Sequence, residues 1–215
     1  MARAARHLII FVKAPRRGQV KSRLAAGIGA GEALRFYRRT TARLLRHLAR
    51  DPRWRTSLAV TPSRHTRFWP PSLECIDQGT GDLGRRMVRV FTALPPGQAI
   101  IVGSDIPELR AHHVACAFRT LGSHDAVFGP ASDGGYWLVG LRRSRPLPRA
   151  LFQGVRWSSP HTLADSRATL PKTWSVASAA LLDDIDDAPD YLRWQQPRSR
   201  RTITPAIARG PRDSR

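Results

Sequence analysis

Short uninterrupted apolar runs alternate along this chain with longer stretches in which apolar residues recur at helical spacing. Residues 7–12 form the first apolar run and predict a buried strand, which gives way at Lys13-Ala14-Pro15 to a loop punctuated by Pro and Gly. Over residues 31–50, Leu34, Tyr37, Thr41, Leu44, Leu45 and Leu48 share one face of a helix, while Arg35, Arg38, Arg39, Arg43, Arg46 and Arg50 share the other. Asp51-Pro52 ends that helix. Two further strands are predicted over 55–61 and 73–77. Residues 81–94 read as a helix with Asp82 near its start, stopped by Pro95-Pro96-Gly97. A strand over 99–102 precedes a helix that Pro107 opens and that runs to about residue 121, and strands follow over 126–128 and 136–141. Ser159-Pro160 has the chemistry of a helix start, with the helix running to about residue 170. Such alternation predicts an α/β domain whose mainly parallel sheet is covered on both faces. The expected organisation is a single domain over residues 1–195 and a basic, disordered tail over 196–215.

Charge complicates this picture. The formal net charge is +20, and of the 36 basic residues 33 are Arg and only three, Lys13, Lys21 and Lys172, are Lys. A surplus of this size can be the footprint of a polyanion partner, and the Arg-rich helix face and tail are the candidate surface. If about six phosphates were neutralised there, affinity would fall with salt at a log-log slope near −5. No aromatic residues interleave those arginines as a stacking platform would need, so a solvated helix face is the preferred reading over nucleic-acid binding. The apolar stretch after the basic first residues is too short for a signal-peptide core or a membrane span, which leads to the expectation of a cytoplasmic protein without a membrane partner. Cys75 and Cys116 are isolated in sequence, so buried thiols are expected rather than a zinc site or a disulfide scaffold. His112, His113 and His161 have no metal-ligand spacing with a carboxylate. Oligomeric state is not readable from the sequence.

Candidate chemistry gathers where strands should end. Asp105, in Gly103-Ser104-Asp105-Ile106-Pro107, follows the run 99–102 and stands where a ligand crevice opens in an open α/β sheet. It either holds a divalent cation or caps the helix expected at Pro107. The segment 13–24 carries five cations, among which Lys13, Lys21 and Arg23 suit a polyphosphate, although the Walker A spacing is absent. Gln78 to Met87 packs three glycines before a helix. Its Gln amide can pair with a nucleobase edge, or the segment is an ordinary turn and cap. Asp133-Gly134-Gly135-Tyr136 either faces a ligand or is a tight turn, and Asp183, Asp184, Asp186 and Asp187 are either ligands or a solvated loop. Trp157 can stack on an acceptor or be buried.

In order along the chain, Lys13, Pro15, Gly18, residues 20–24 (VKSRL), 81–87 (GDLGxRM), 103–107 (GSDIP), 129–136 (GP…DGGY), 157–160 (WSSP) and 184–186 (DID) resemble the small transferases known as radical-SAM/selenodomain-associated transferase type 1, or arsenosugar-biosynthesis glycosyltransferases. The resemblance implies a three-layer GT-A fold, Rossmann-like, with a mainly parallel mixed sheet and a Mg²⁺ or Mn²⁺ site. It is also similar at the Lys-Ser-Arg-Leu loop to phospholactate guanylyltransferases, which transfer a nucleotidyl group. One departure is that the acidic motif, usually followed by Thr-Pro, here reads Asp186-Asp187-Ala188-Pro189.

The expected enzyme transfers a group from a nucleotide-sugar to a small-molecule acceptor; the alternative takes an NTP and releases pyrophosphate. On this reading Asp105, Asp184 and Asp186 hold the metal, and Asp105, Asp133 and Lys21 are catalytic. Lys13, Pro15, Gly18, Lys21, Arg23, Gln78, Gly81, Asp82 and Gly84 bind the nucleotide. Asp133, Gly134, Gly135, Tyr136, Trp157 and Ser158 meet the acceptor, with Asp133 either binding a hydroxyl or acting as general base.

Overall fold

A computed structural model describes residues 5–196. Seven strands, β1 (Arg6–Lys13), β2 (Arg55–Thr61), β3 (Glu74–Asp77), β4 (Gln98–Val102), β5 (Ala126–Pro130), β6 (Tyr136–Leu141) and β7 (Val176–Ser178), form one mixed sheet. Among the described residues six α-helices accompany them, α1 (Ser22–Ile28), α2 (Ala30–Leu48), α3 (Leu83–Ala93), α4 (Ala111–Thr120), α5 (Thr162–Ala168) and α6 (Ala188–Gln195), with a 3₁₀ helix over Ser63–Phe68. The sheet order is β3-β2-β1-β4-β6-β5-β7. All pairings are parallel except those of β6 with β4 and with β5.

Continuous apolar strands need cover on both faces, and the helices supply it. One face of the sheet packs Ile10, Ile100 and Leu138 against Leu44, Leu48, Val114 and Phe118 from α2 and α4. The other packs Ile9, Ile101 and Val139 against Met87, Val90 and Phe91 of α3 and against Leu151 and Phe152. A smaller cluster joins Leu24 of α1, Ala33 and Phe36 of α2, and Ile185. The result is the expected three-layer α/β fold with a mixed sheet.

Topology then decides where ligands can sit. The chain moves outward from β1 through β2 to β3, then returns to place β4 on the other side of β1. The loops leaving β1 and β4 therefore diverge, and a crevice opens between them at the carboxyl edge. Because β6 runs antiparallel, the turn that enters it lies on that same edge, as does the segment leaving β7.

Several expected boundaries move. Helix α4 begins at Ala111 rather than Pro107, because Ile106 and Leu109 are buried in a turn closed by a Leu109 N–H to Ile106 C=O bond of 3.2 Å. Asp105 is thus no helix cap. Helix α5 begins at Thr162: Ser159 Oγ accepts from the His161 N–H and donates to the Arg156 carbonyl, holding residues 159–161 in a turn. The loop expected over 13–24 already turns helical at Ser22. Helices α1 and α6 and strand β7 are too short to leave a periodic signal in sequence. Cys75 is half-buried, but Cys116 is exposed on α4, contrary to the expected buried thiol, and both are free. The expected basic tail lies outside the described residues apart from Gln196. Among the described residues no helix is long and apolar enough to cross a membrane.

Candidate functional site

The crevice is a cavity of about 370 Å³ lined from three directions: Val12 and Lys13 at the end of β1, Lys21 to Arg23 at the start of α1, and Gly103 to Asp105 after β4. Phe11, Val20, Tyr37, Thr61, Gln78 and Asp186 complete it.

Lys21 sits at its centre. Its backbone is left-handed (φ 50°, ψ 50°), which costs a non-glycine residue about 1 kcal/mol and aims the chain end inward. Only 7% of the side chain is exposed, and its ammonium pairs with Asp105 and, at 2.7 Å, with Asp186. Although burial works against the charged form, those two carboxylates hold Lys21 well above the ordinary lysine range. Arg23, largely exposed, closes the outer side with a 2.5 Å contact to the second oxygen of Asp186. Burial opposes ionisation of Asp186 too, but Lys21 and Arg23 outweigh it and keep the carboxyl below its usual range.

Ligand atoms of Asp105, Asp184 and Asp186 all lie within 4.8 Å of one another. Residues remote in sequence converge here for a local reason. In the segment after β7, Ile185 is buried with Leu24 and Phe36, while its chain neighbours Asp184 and Asp186 join the acidic cluster. An Ile185 N–H to Asp105 C=O bond of 3.4 Å ties the two segments together. Burial, and then the charges of Asp105 and Asp186, push the Asp184 carboxyl up to about 7 despite Lys21. The cluster is thus short of positive charge even with the lysine in place. Three carboxylates as the donor set suit a hard cation such as Mg²⁺ or Mn²⁺, so these residues fit the implied metal.

The rest of the acidic run has other work. Asp183 accepts from the Ser132 N–H at 2.9 Å, and Asp187 caps α6 by accepting from the Asp190 N–H at 2.9 Å. With Asp187 as cap and Pro189 in the first turn, the shifted Pro preserves a helix start immediately after Asp186.

Tyr37 is a residue that pattern reading assigned only to the core. Its hydroxyl accepts from the Lys13 N–H and donates to the Lys13 C=O, both at 2.9 Å, and accepts from buried Ser104 Oγ at 3.4 Å. One side chain thus fixes the ends of β1 and β4 at the crevice. Helical spacing places Tyr37 inward but carries no sign of this polar role.

The remaining nucleotide candidates separate. Lys13 lines the crevice and is exposed. Gln78, 4% exposed, lines it too, but its Nε2 donates to Val12 O at 3.1 Å and Ala59 O at 2.7 Å, so only its carbonyl oxygen remains as an acceptor. Pro15 is buried and does not line the crevice. Gly18 supplies a turn (φ 71°). Asp82 caps α3 through the Arg85 N–H at 2.8 Å, Gly81 is the left-handed residue before that cap (φ 101°), and Gly84 lets α3 pack against Phe152 and Trp157. None of these five lines the crevice, and the glycine loop serves the start of α3 instead.

Among the acceptor candidates, the turn that carries Asp133 and Gly134 meets the segment 157–160. Gly134 (φ 83°) lies under Pro160, where a Cβ would come within 2.2 Å of its carbonyl oxygen, and Gly134 O accepts from the Leu163 N–H at 2.9 Å. The turn 131–135 is thereby docked on the segment 157–160. Asp133 Oδ1 accepts from the Gly135 N–H at 2.8 Å, and its charge contributes to the raised pKa of Asp184. Ser158 is exposed and left-handed (φ 55°). Tyr136 departs from expectation: its hydroxyl accepts from Ser166 Oγ at 3.2 Å, its ring packs on Phe128, and burial raises its pKa. Trp157 is half-buried against Phe152, edge to face at 6.3 Å, so packing accounts for it.

On the cationic face, Arg35 pairs with Glu32 and Arg38 donates to Pro15 O. Tyr191 and Trp194 of α6 reach this flank, but both rings pack edge-on against Phe36, at 5.5 and 5.6 Å.

A protein assigned as a nucleotide-diphospho-sugar transferase from Desulfovibrio desulfuricans G20 superposes with a TM-score of 0.77 at 27% identity, covering 93% of this chain and 89% of that one. The inositol-1-phosphate CTP transferase of T. maritima (TM-score 0.54, 11% identity, 87% and 91% covered) shares the fold. So does the homolog of Mycobacterium tuberculosis rv0371c from mycobacterium sp. strain JC1 (0.53, 14%, 90% and 96%). No curated protein matches. Residues 44–159, more than half of the sequence, match the profile described as "Uncharacterized protein conserved in bacteria (DUF2064)", and the chain belongs to that family.

Proposed function

We propose that this protein is a nucleotide-using transferase, and specifically a metal-dependent glycosyltransferase that moves a sugar from a nucleotide-diphosphosugar to a small-molecule acceptor. The observation that carries the reading is the convergence of Asp105, Asp184 and Asp186 beside buried Lys21, at the crevice between β1 and β4 that Asp105, Asp186 and Lys21 line. The likeness to the Desulfovibrio protein, at 27% identity over 93% of the chain, supports the donor class.

Asp105, Asp184 and Asp186 would hold Mg²⁺ or Mn²⁺, which when bound supplies Lewis-acid neutralisation of the diphosphate. Lys21, buried between Asp105 and Asp186, would offer its ammonium to the phosphate that leaves. Lys13 and Arg23, at the mouth, bind outer phosphate oxygens and anchor the donor. Gln78 offers its carbonyl oxygen to an N–H of the base. The acceptor hydroxyl approaches from the side of the turn 131–135, where the second oxygen of Asp133 can take its proton. A bond forms between that hydroxyl oxygen and the anomeric carbon. The bond from the anomeric carbon to the diphosphate oxygen breaks, and its electron pair leaves with the nucleoside diphosphate.

The test is the leaving group. Purified protein is incubated with Mg²⁺ and a panel of nucleotide-sugars and NTPs. Release of nucleoside diphosphate from a nucleotide-sugar is expected. Pyrophosphate release from an NTP, with no nucleotide-sugar turned over, would replace glycosyl transfer by nucleotidyl transfer on the same cations.

A further inference from the structure

A second and larger cavity, about 1050 Å³, lies away from the acidic cluster, between the flank of α2 and the connection from β2 to β3. Its size is that of a small-molecule site. Leu45 of α2 forms one wall, and Phe68, Trp69 and Leu73 of the connection form the other. Phe68 is 36% exposed, which is high for so apolar a side chain beside a groove.

Two observations give this groove a chemistry. Trp69 is 8% exposed, and its indole Nε1 is buried with no hydrogen-bond partner. Leaving such a donor unpaired is costly, and an indole N–H can only donate, so what belongs there is an acceptor atom. The second observation is charge. Arg38, Arg46 and Arg50 line the groove from α2, and among the described residues that line it none is acidic. Arg46 and Arg50 are exposed, with guanidinium groups able to meet an anionic head at the rim.

We propose that this groove binds an amphipathic organic anion, with its apolar body between α2 and Trp69, an acceptor atom on the Trp69 N–H, and its anionic head among Arg38, Arg46 and Arg50. The site is separate from the acidic cluster and does not rest on the transferase reading. Among the described residues, Tyr37 lines both this groove and the crevice.

The probe is 8-anilinonaphthalene-1-sulfonate, an aromatic body with one sulfonate, and its uncharged analogue N-phenyl-1-naphthylamine, titrated against the full chain at low salt by fluorescence and calorimetry. Saturable binding of the sulfonate at one per chain is expected. The double variant R46Q/R50Q should weaken it roughly fivefold to tenfold while changing the uncharged analogue less than about twofold. Trp69→Phe, which keeps the ring and removes the donor, should weaken the sulfonate about 2- to 10-fold. Both arginines are exposed, so the double variant tests the proposal even if Trp69→Phe fails to fold. Non-saturable binding, or sulfonate affinity indifferent to R46Q/R50Q, would overturn the site and leave a groove filled by solvent alone.

Discussion

Replacing Lys21 by Met keeps the length and apolar stem of the side chain and removes only its charge. In the native crevice that charge faces Asp105 and Asp186, with Asp184 within the same 4.8 Å cluster. At an effective dielectric near 20, unit charges about 4 Å apart interact by roughly 4 kcal/mol, so two attractive pairs vanish while repulsion among the carboxylates remains. The loss is offset in part because Met carries no ammonium to desolvate, and removing one partner of a buried pair costs about 3–5 kcal/mol in practice. Asp184, whose carboxyl already titrates at about 7, can take up a proton and hold the cost near the low end, about 3 kcal/mol. For a chain of this size that is a fall in Tm of roughly 6–12 °C. Millimolar Mg²⁺ or Mn²⁺ should restore much of it, because a divalent charge among the three carboxylates replaces what the lysine supplied. The assay is thermal unfolding of wild type and Lys21→Met with and without metal. A variant as stable as wild type, or one whose Tm ignores divalent cations, would refute the view that these carboxylates form one charge-deficient cluster.

Asp105→Asn should lower metal-dependent turnover by about 100-fold or more while the fold persists, since Asp105 caps no helix; activity within tenfold of wild type would remove it from the metal set. Among the glycines, Gly18→Ala should cost only about 1 kcal/mol, for its left-handed backbone meets open space, whereas Gly134→Ala should cost several times as much, because its Cβ would press on Pro160 O. Urea unfolding of both variants ranks them, and equal losses would contradict the docking of turn 131–135 on residue 160. His7, 7% exposed, is held below the ordinary imidazole range, chiefly by burial. Its unfolded form therefore binds the proton first as pH falls, so stability should be flat for this group above about 6.5 and decline below that until the folded pKa is reached. His7→Leu should lessen that decline, and an unchanged pH dependence would show that His7 does not contribute to it.

Much of the architecture could be read from the apolar pattern alone. The strands at β1, β2, β4 and β6 are runs whose burial needs no partner to be recognised, and α2 declares its inner face through Tyr37, Thr41, Leu44, Leu45 and Leu48. What escaped was short or polar. Seven residues of α1 and three of β7 are too few for a period to emerge, and α4 starts late because buried Ile106 and Leu109 hold a turn against the pull of Pro107.

For the site, residue chemistry went far: Asp105, Asp184, Asp186 and Lys21 stand out as carboxylates and a rare lysine at strand ends, and they meet in space. The roles of Gly84, Tyr136 and Tyr37 could not be seen in the same way. Each depends on what lies opposite across the fold, Trp157 for the first, Ser166 for the second, and the backbone of Lys13 for the third. A sequence fixes which groups are available and, through periodicity, which side of an element they occupy. Which of them face one another is set by strand order and helix packing, and so only the tertiary structure separates a charged crevice from an ordinary turn.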